Sequence, residues 1–474
     1  MYNIKCCCDM VMKALQKEGY RAEFCGEYPW EKCYNANHQP TRINAEEVEV
    51  VTDATIDVLQ RLFKIIEIKN SFVKACVAEC TIKQNIVHVN IYYRGTSVSK
   101  VDGTVLEAKN FEDVLRTRTF LHETITIDSK GAMHNFPGKK DAYRDVDTET
   151  FGTVKEVNTT FQLDPLSMLN LIVKIGKYKR FRLLRKQKQA LADHYQLLAY
   201  EDFKDITNCV NQFMGTRFPK KCIRAIKENM IDFQYKARKP FEFLSYLKDE
   251  TIENLGELDK EDLIARWAYV LKDVPEDIRG KTIRMFKLDA IRINWLIKYY
   301  DMPLLDVSQY KQTIYDAKED LNPLRDRRCN IFILYPMLCK LKMIYSAIDP
   351  DNERKYQKLL DVVCGRPMYL EQIYYEDEDI CKLLNVSFQN IELEWFTKYK
   401  TDVIYNVLMT DVHPSDAEYL QIMHDLFDTK YANLEEVIPT FEGEYDAQYE
   451  EEYMDEEEEE GTTEETEAME HSEE

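Results

Sequence analysis

Apolar residues recur at three- and four-residue intervals over residues 4–19, with Val11, Met12 and Leu15 on one face, and Gly19 ends the run. This spacing predicts a helix stopped by a glycine. Tyr20 to Cys25 and Glu47 to Val51 read as strands, followed by a helix from about Thr55 to Phe63 that Thr52 or Asp53 is placed to cap. Phe72 to Thr81 and Asn85 to Tyr93 read as further strands. In the second, Ile86, Val87, Val89 and Ile91 mostly alternate with polar residues, as on a half-buried sheet. After Asp164 the period changes to that of helices. Leu166 to His194, Asp262 to Lys272, Thr282 to Tyr300 and Cys329 to Ala347 carry it with few turn residues. No repeat of fixed period is present. The pattern predicts an α+β protein, a mixed head followed by a large helical body.

A chain of 474 residues is long enough for two to four domains, and only 14 Gly and 14 Pro fit a mostly helical body. The formal charge of −22 is unevenly placed: 18 carboxylates and no Lys or Arg fall between Phe441 and Glu474, leaving −4 for the rest. That terminal segment has few aliphatic residues to offset its ordering entropy, so its composition predicts a disordered acidic tail. The near-neutral body remains compatible with an RNA-binding face. The 13 Cys include Cys6, Cys7 and Cys8 in a row and show no zinc-type pairing of C-x-x-C motifs. Reduced, mostly buried thiols in a cytoplasmic protein are expected. Lys5, Asp9, Lys13, Lys17 and Glu18 interrupt the first 20 residues, against a signal peptide, and no window is apolar enough to span a bilayer.

Five segments resemble, in order, motifs of the CCA-adding tRNA nucleotidyltransferase and poly(A) polymerase family. Glu47-Val-Glu-Val-Val-Thr-Asp-Ala-Thr55 is similar to the metal-binding strand that commonly reads D-x-D-(hydrophobic)-A-T-(D/N)-A-T and runs into a helix. Gly19 to Gly26 lies where the family has a strand and a G-G phosphate-binding turn. Arg118-Thr-Phe-Leu-His-Glu-Thr-Ile-Thr-Ile-Asp128 resembles the R-R-D-F-T-I-N-A region, and Asn135-Phe-Pro-Gly138, with Asp141 following, resembles the D-P-F-G-G turn. Phe161-Gln-Leu-Asp-Pro-Leu-Ser-Met-Leu169 resembles the E-D-P-L-R segment that opens the helical part. The resemblance implies a nucleotidyltransferase-like head over residues 1–130 and a helical neck that binds nucleotide and RNA over 131–225. It further implies a helical body with a degenerate HD-like region over 226–438, ahead of the tail at 439–474.

In that family two carboxylates on one strand hold two Mg²⁺, which activate the RNA 3′-hydroxyl and neutralise the pyrophosphate leaving from CTP or ATP. The resemblance places Glu47 and Glu49 there as catalytic and metal-binding residues. Residues two apart on a strand share a face, but a glutamate carries its carboxylate about 1.5 Å beyond an aspartate's, where about 0.5 Å is tolerated. Both could equally be charges on a solvated strand face. Other positions also depart. One glycine, Gly26, is followed by Glu27, which repels phosphate, and the family's next R-D falls on Pro29 and Trp30. Aligning T-I-N on Thr126, Ile127 and Asp128 puts R-R-D on His122, Glu123 and Thr124, with Arg118 the nearby arginine. Asp164 remains, but two family arginines fall on Ser167 and Asn170, and E-R on Glu201 and Asp202. Gly26, Arg118, Asp128, Asp164 and Asn170 are the expected nucleotide contacts. Because polar base recognition fails sharply when a partner is lost, nucleotidyl transfer is expected to be weak or absent.

Leu263 to Asp273 and Ile297 to Leu304 resemble segments of HD phosphohydrolase-like regions. No His falls between His194 and His413, so an imidazole metal site of that type is not expected. Lys174, Lys177, Lys179, Arg180, Arg182, Arg185, Lys186 and Lys188, interleaved with Tyr178 and Phe181, suit RNA phosphates and bases, Arg217, Lys220, Lys221 and Arg224 extending them. They suit a solvated helix face too. RNA, in particular tRNA, is the expected partner, with no DNA and no membrane. The tail could compete with RNA for a basic groove or serve only solubility. A catalytically inactive RNA- or protein-binding scaffold on the same fold is the alternative to an enzyme.

Overall fold

The helix expected over residues 4–19 forms two residues earlier, as α1, Tyr2–Lys17, and its apolar stripe dictates where the first core lies. The structure, a computed structural model, describes residues 2–37, 47–69, 71–82, 85–135, 141–302, 307–321, 334–349, 353–363, 373, 375–410 and 414–440. The Phe136–Gly138 turn, the expected helix start at Cys329 and the acidic segment from Phe441 lie outside these residues. The chain divides into two units, residues 1–300 with 340–352, and residues 301–339 with 353–474.

In the first unit the head alternates β1 (Ala22–Cys25), α2 (Glu27–Asn37), β2 (Glu49–Thr55), α3 (Ile56–Leu62), β3 (Lys64–Ile68), β4 (Ala75–Ile82) and β5 (Asn85–Arg94). A small ribbon of β6 (Thr96–Val98) and β7 (Val105–Glu107) follows, then α4 (Phe111–Thr117), β8 (Thr126–Ile127) and β9 (Met133–His134). The main sheet has the order β3-β4-β5-β2-β1-β8-β9; β2 and β5 pair in parallel and its other pairs are antiparallel.

Cys7, Cys8, Val11, Met12 and Leu15 of α1 pack on one face of this sheet, against Phe24, Val50, Ala54 and Ile91. On the other face Cys25 and Val51 meet Phe111, Val114 and Leu115 of α4, whose first turn is capped by Asn110 accepting from the Asp113 N–H at 2.9 Å. Burying each such side chain contributes roughly 1.5–3 kcal/mol. Because β2 is covered on both faces it is buried nearly end to end, and its alternation is hidden in the sequence. Glu49, two residues before Val51, projects on the α4 side.

The helical part of this unit comprises α5 (Ala142–Thr148), α6 (Val157–Leu163), α7 (Leu166–Lys177), α8 (Arg185–His194), α9 (Phe203–Met214) and α10 (Pro219–Asn229), then α11 (Asp249–Asn254), α12 (Leu263–Leu271), α13 (Glu276–Phe286) and α14 (Ala290–Lys298). Met168, Leu169, Leu171, Ile172, Val173 and Ile175 of α7 are all buried, which makes it the central helix. Asp262 caps α12, accepting from the Ala265 N–H at 3.0 Å. In the second unit, helices Asp377–Leu384, Glu394–Met409 and Asp416–Lys430 surround a core of Trp395, Phe396, Tyr399, Met423, Phe427 and Tyr431. The α+β head and helical remainder expected from the sequence are therefore present.

Four local expectations change. Strand β2 starts at Glu49, which leaves Glu47 before it, and runs to Thr55. Neither Thr52 nor Asp53 caps α3: Thr52 Oγ1 accepts from the Ala54 N–H at 3.2 Å and Asp53 from the Arg21 N–H at 2.9 Å, while Thr55 takes the cap position without a side-chain bond. The stretch Leu166 to His194 is two helices, because Tyr178 turns extended (φ −123°, ψ 131°) after α7. Thr282 to Tyr300 likewise breaks, at Lys287 in the left-handed region (φ 53°) and at Asp289, which caps α14.

Candidate functional site

The turn from β1 into α2, the start of β2, the segment 118–123 and the C-terminal half of α7 converge on one cleft of about 1450 Å³ in the first unit. Gly26, Glu47, Glu49, Arg118, Asp164, Asn170, Lys177, Lys179 and Arg180 line it. These are nine of the residues singled out in the sequence, brought together from five separate segments. Asp128 is not among the lining residues. Its carboxylate accepts from the N–H groups of Lys130 and Ala132 at 2.9 and 2.8 Å, which closes the β8–β9 turn. Arg182, Arg185 and Lys186 also lie outside the lining, on the exposed connection to α8 and its first turn.

Gly26 adopts φ +77°, and a Cβ there would overlap the Glu49 carboxylate, so only glycine fits this turn. Glu49 is 5% exposed. Its Oε1 accepts from the Tyr92 hydroxyl at 2.8 Å and its Oε2 faces Arg118 Nη2 at 3.5 Å. The Arg118 guanidinium is stacked on the Tyr92 ring, 3.4 Å from its centroid, and its Nε approaches Glu123 Oε2 at 3.6 Å. Glu123 Oε1 pairs with Lys174 Nζ at 3.0 Å, and that ammonium also meets His122 Nε2 at 3.2 Å. Glu49, Arg118, Glu123 and Lys174 thus form a buried line of alternating charge.

The electrostatics follow from this order. Burial pushes the Glu49 carboxyl up, and Arg118 opposes the shift. Burial would raise Glu123 too, but Lys174 and Arg118 outweigh it and hold the carboxyl at about 2. His122, pushed well down by burial and then by Lys174, is neutral. Asp164 is pushed up to about 7 by burial, Glu201 and Glu123, with Lys100 opposing. Lys100 Nζ itself holds Glu201 at 3.0 Å and Asp202 at 3.2 Å. Asn170 Oδ1 accepts from the Cys209 thiol at 3.5 Å.

The carboxylate of Glu27, expected to repel phosphate, is paired with Lys177 at 2.9 Å. Trp30 sits 4.8 Å from Tyr178, 5.4 Å from Phe181 and 5.7 Å from Phe151, an aromatic box behind the cleft wall. The extended segment after α7 is fastened by Lys221 of α10, whose ammonium donates to the carbonyls of Tyr178, Lys179 and Phe181 at 2.6, 2.6 and 2.8 Å. Lys179 and Arg180 are thereby presented at the cleft edge. Arg266 of α12, 1% exposed, donates to the carbonyls of Met214, Thr216 and Leu258 and closes the far wall.

Sequence reasoning did not place Tyr92 or Glu123 among the site residues, and read Lys174 as part of an RNA-binding cluster rather than as Glu123's partner. Glu123 fell on the second arginine of the R-R-D alignment, so its charge there was opposite to the family's. Tyr92 gave no signal.

The donor set does not fit a pair of divalent cations. The Glu49 carboxylate is already bonded to Tyr92 and paired with a guanidinium, and Glu47 is exposed before the strand starts. Among the described residues no group of three His, Cys, Asp or Glu is placed to hold a metal ion, and no helix is long and apolar enough to cross a membrane.

The mixed sheet and the helices that follow it form an α+β head on a helical body. More particularly, the fold is that of the CCA-adding enzymes. The chain matches the Bacillus stearothermophilus CCA-adding enzyme in complex with CTP over 90% of its own length and 98% of that chain, with a TM-score of 0.59 at 16% identity. A CCA-adding enzyme complexed with ATP matches over 90% and 96% of the two chains, with TM-score 0.51 and 13% identity. At such identities the likeness establishes the fold. No family model matches the sequence, and no curated protein matches it.

Proposed function

We propose that the chain binds nucleotide and RNA 3′ ends, tRNA foremost, in the cleft between β2 and α7, with nucleotidyl transfer from CTP or ATP weakened or lost. The observation that carries this reading is Arg118 packed against Glu49, on the strand where the fold's chemistry calls for carboxylates open to metal. Two Mg²⁺ need near-ideal octahedral oxygen ligands, and a fixed guanidinium repels them from the same carboxylate.

Binding is supported by the remaining lining. Lys179 and Arg180 stand exposed along one edge of the lining, an arrangement suited to RNA phosphates, while Lys174 and Lys177 behind them are paired with Glu123 and Glu27. Arg182, Arg185 and Lys186 would meet RNA only beyond the cleft. The α12–α14 region acts as scaffold in place of a degenerate HD site: Lys272 lies over the Tyr269 and Tyr300 rings at 4.8 and 5.3 Å. A cytoplasmic location fits this role.

Incubation with tRNA lacking its 3′ CCA, labelled CTP and ATP, and Mg²⁺ or Mn²⁺ tests the proposal. Retention of tRNA with background incorporation is expected. Robust incorporation that Glu49→Ala abolishes would refute the loss of transfer, and failure to bind tRNA or nucleotide would leave a protein-binding scaffold.

A further inference from the structure

Arg118 carries more hydrogen-bonding capacity than its protein neighbours use. The side chain is 3% exposed and lines the cleft. Its Nη2 approaches Glu49 and its Nε faces Glu123 at 3.6 Å, beyond hydrogen-bond length, whereas Nη1 has no hydrogen-bond partner among the described residues. A buried donor without an acceptor is costly, and a guanidinium held flat on Tyr92 cannot swing out to water without losing that stacking. The geometry therefore calls for an acceptor supplied from the cleft. The nearest charges narrow its nature. Glu49, Arg118, Glu123 and Lys174 cancel one another in pairs, and Glu27 is cancelled by Lys177. Lys179, Arg180 (3.5 Å from Glu149) and the exposed Arg217 at the cleft edge then outweigh the exposed Glu47 and tip the lining toward an anion.

Resting on the reading that this cleft binds nucleotide, we infer that it takes the polyphosphate of a nucleoside triphosphate without a divalent cation, the Arg118 guanidinium standing in for the metal. Arg118 presents fixed N–H groups to phosphate oxygens in the fork geometry that suits them. Tyr92 and Glu49 hold the guanidinium from behind, and Glu123 holds it from the side. Lys179 and Arg180 reach the outer phosphates. A magnesium-bound triphosphate would bring a dication toward a guanidinium already seated on the carboxylate it needs. The metal-free tetra-anion meets no such conflict.

Isothermal titration of the full-length protein with ATP and with CTP, in excess chelator and in Mg²⁺, tests this directly. The dissociation constants in the two conditions should agree within about threefold. Arg118→Gln should weaken binding by about tenfold or more in both. Arg118 is buried, so the exposed pair Lys179→Gln and Arg180→Gln provides a variant that keeps the fold, expected to weaken metal-free binding several-fold. Titration with Mg²⁺ alone should show no saturable heat. Nucleotide binding that appears only with Mg²⁺, or a Mg²⁺ isotherm that Glu49→Gln removes, would overturn the inference and leave nucleotide binding intact. Absence of binding in both conditions would remove the nucleotide reading as well.

Discussion

Neutralising Glu123 by Glu123→Gln is the sharpest probe of the charge line behind the cleft. The carboxyl is held at about 2 against a reference of 4.5, with Lys174 Nζ at 3.0 Å and Arg118 Nε at 3.6 Å. Each pKa unit corresponds to about 1.4 kcal/mol, so the charge contributes roughly 3 kcal/mol at neutral pH. Its side chain is only 13% exposed, so solvent screening takes little from that figure. Loss of one partner from a buried pair, about 3–5 kcal/mol, agrees in size.

The sign follows from the direction of the shift. Between the two pKa values the unfolded chain binds the proton and the folded chain does not, so the contribution is full above about 4.5. It falls as pH drops toward 2, to about half by pH 3. Hydrogen exchange reads the local free energy without assuming that both units unfold together. Amides of the 118–127 segment should exchange about a hundredfold faster in the variant at neutral pH, and the difference should shrink on acidification. A change below about threefold, or one independent of pH between about 6 and 3, would refute the assignment of the shift to Lys174 and Arg118.

Gly26→Ala should destabilise the first unit by about 1–3 kcal/mol, from positive φ and overlap with Glu49; an unchanged urea midpoint would contradict the packed turn. Lys179→Gln combined with Arg180→Gln should lower tRNA affinity and reduce the slope of log affinity against log salt by about 1–2, measured by filter binding. Arg185→Gln, outside the cleft lining, should change it less.

The head was legible because its signals are local. Val11, Met12 and Leu15 mark one face of α1, and Asn85 to Arg94 alternates as a half-buried strand should. The candidate site was legible as a set of segments, and nine singled-out residues do line one cleft. What the sequence hid was pairing. Arg118 and Glu49 are 69 positions apart, and nothing local tells that they meet. The same holds for the break after Lys177. Helical periodicity continues through Tyr178 and Phe181, but their rings are drawn into the box around Trp30, and packing overrides local propensity there. Asp128 shows the converse: its place near a motif suggests a ligand contact, but its carboxylate closes its own turn and lies outside the cleft lining.

Lys221 makes the basic edge of the cleft depend on a helix that does not itself carry the charges facing it. Three carbonyls of the segment that presents Lys179 and Arg180 are gathered on one ammonium of α10. The spacing of those cations from β2 is therefore set by where α10 stands. A shift of that helix by an ångström or two would travel through a single side chain and widen or narrow the gap across which a strand of phosphates must fit.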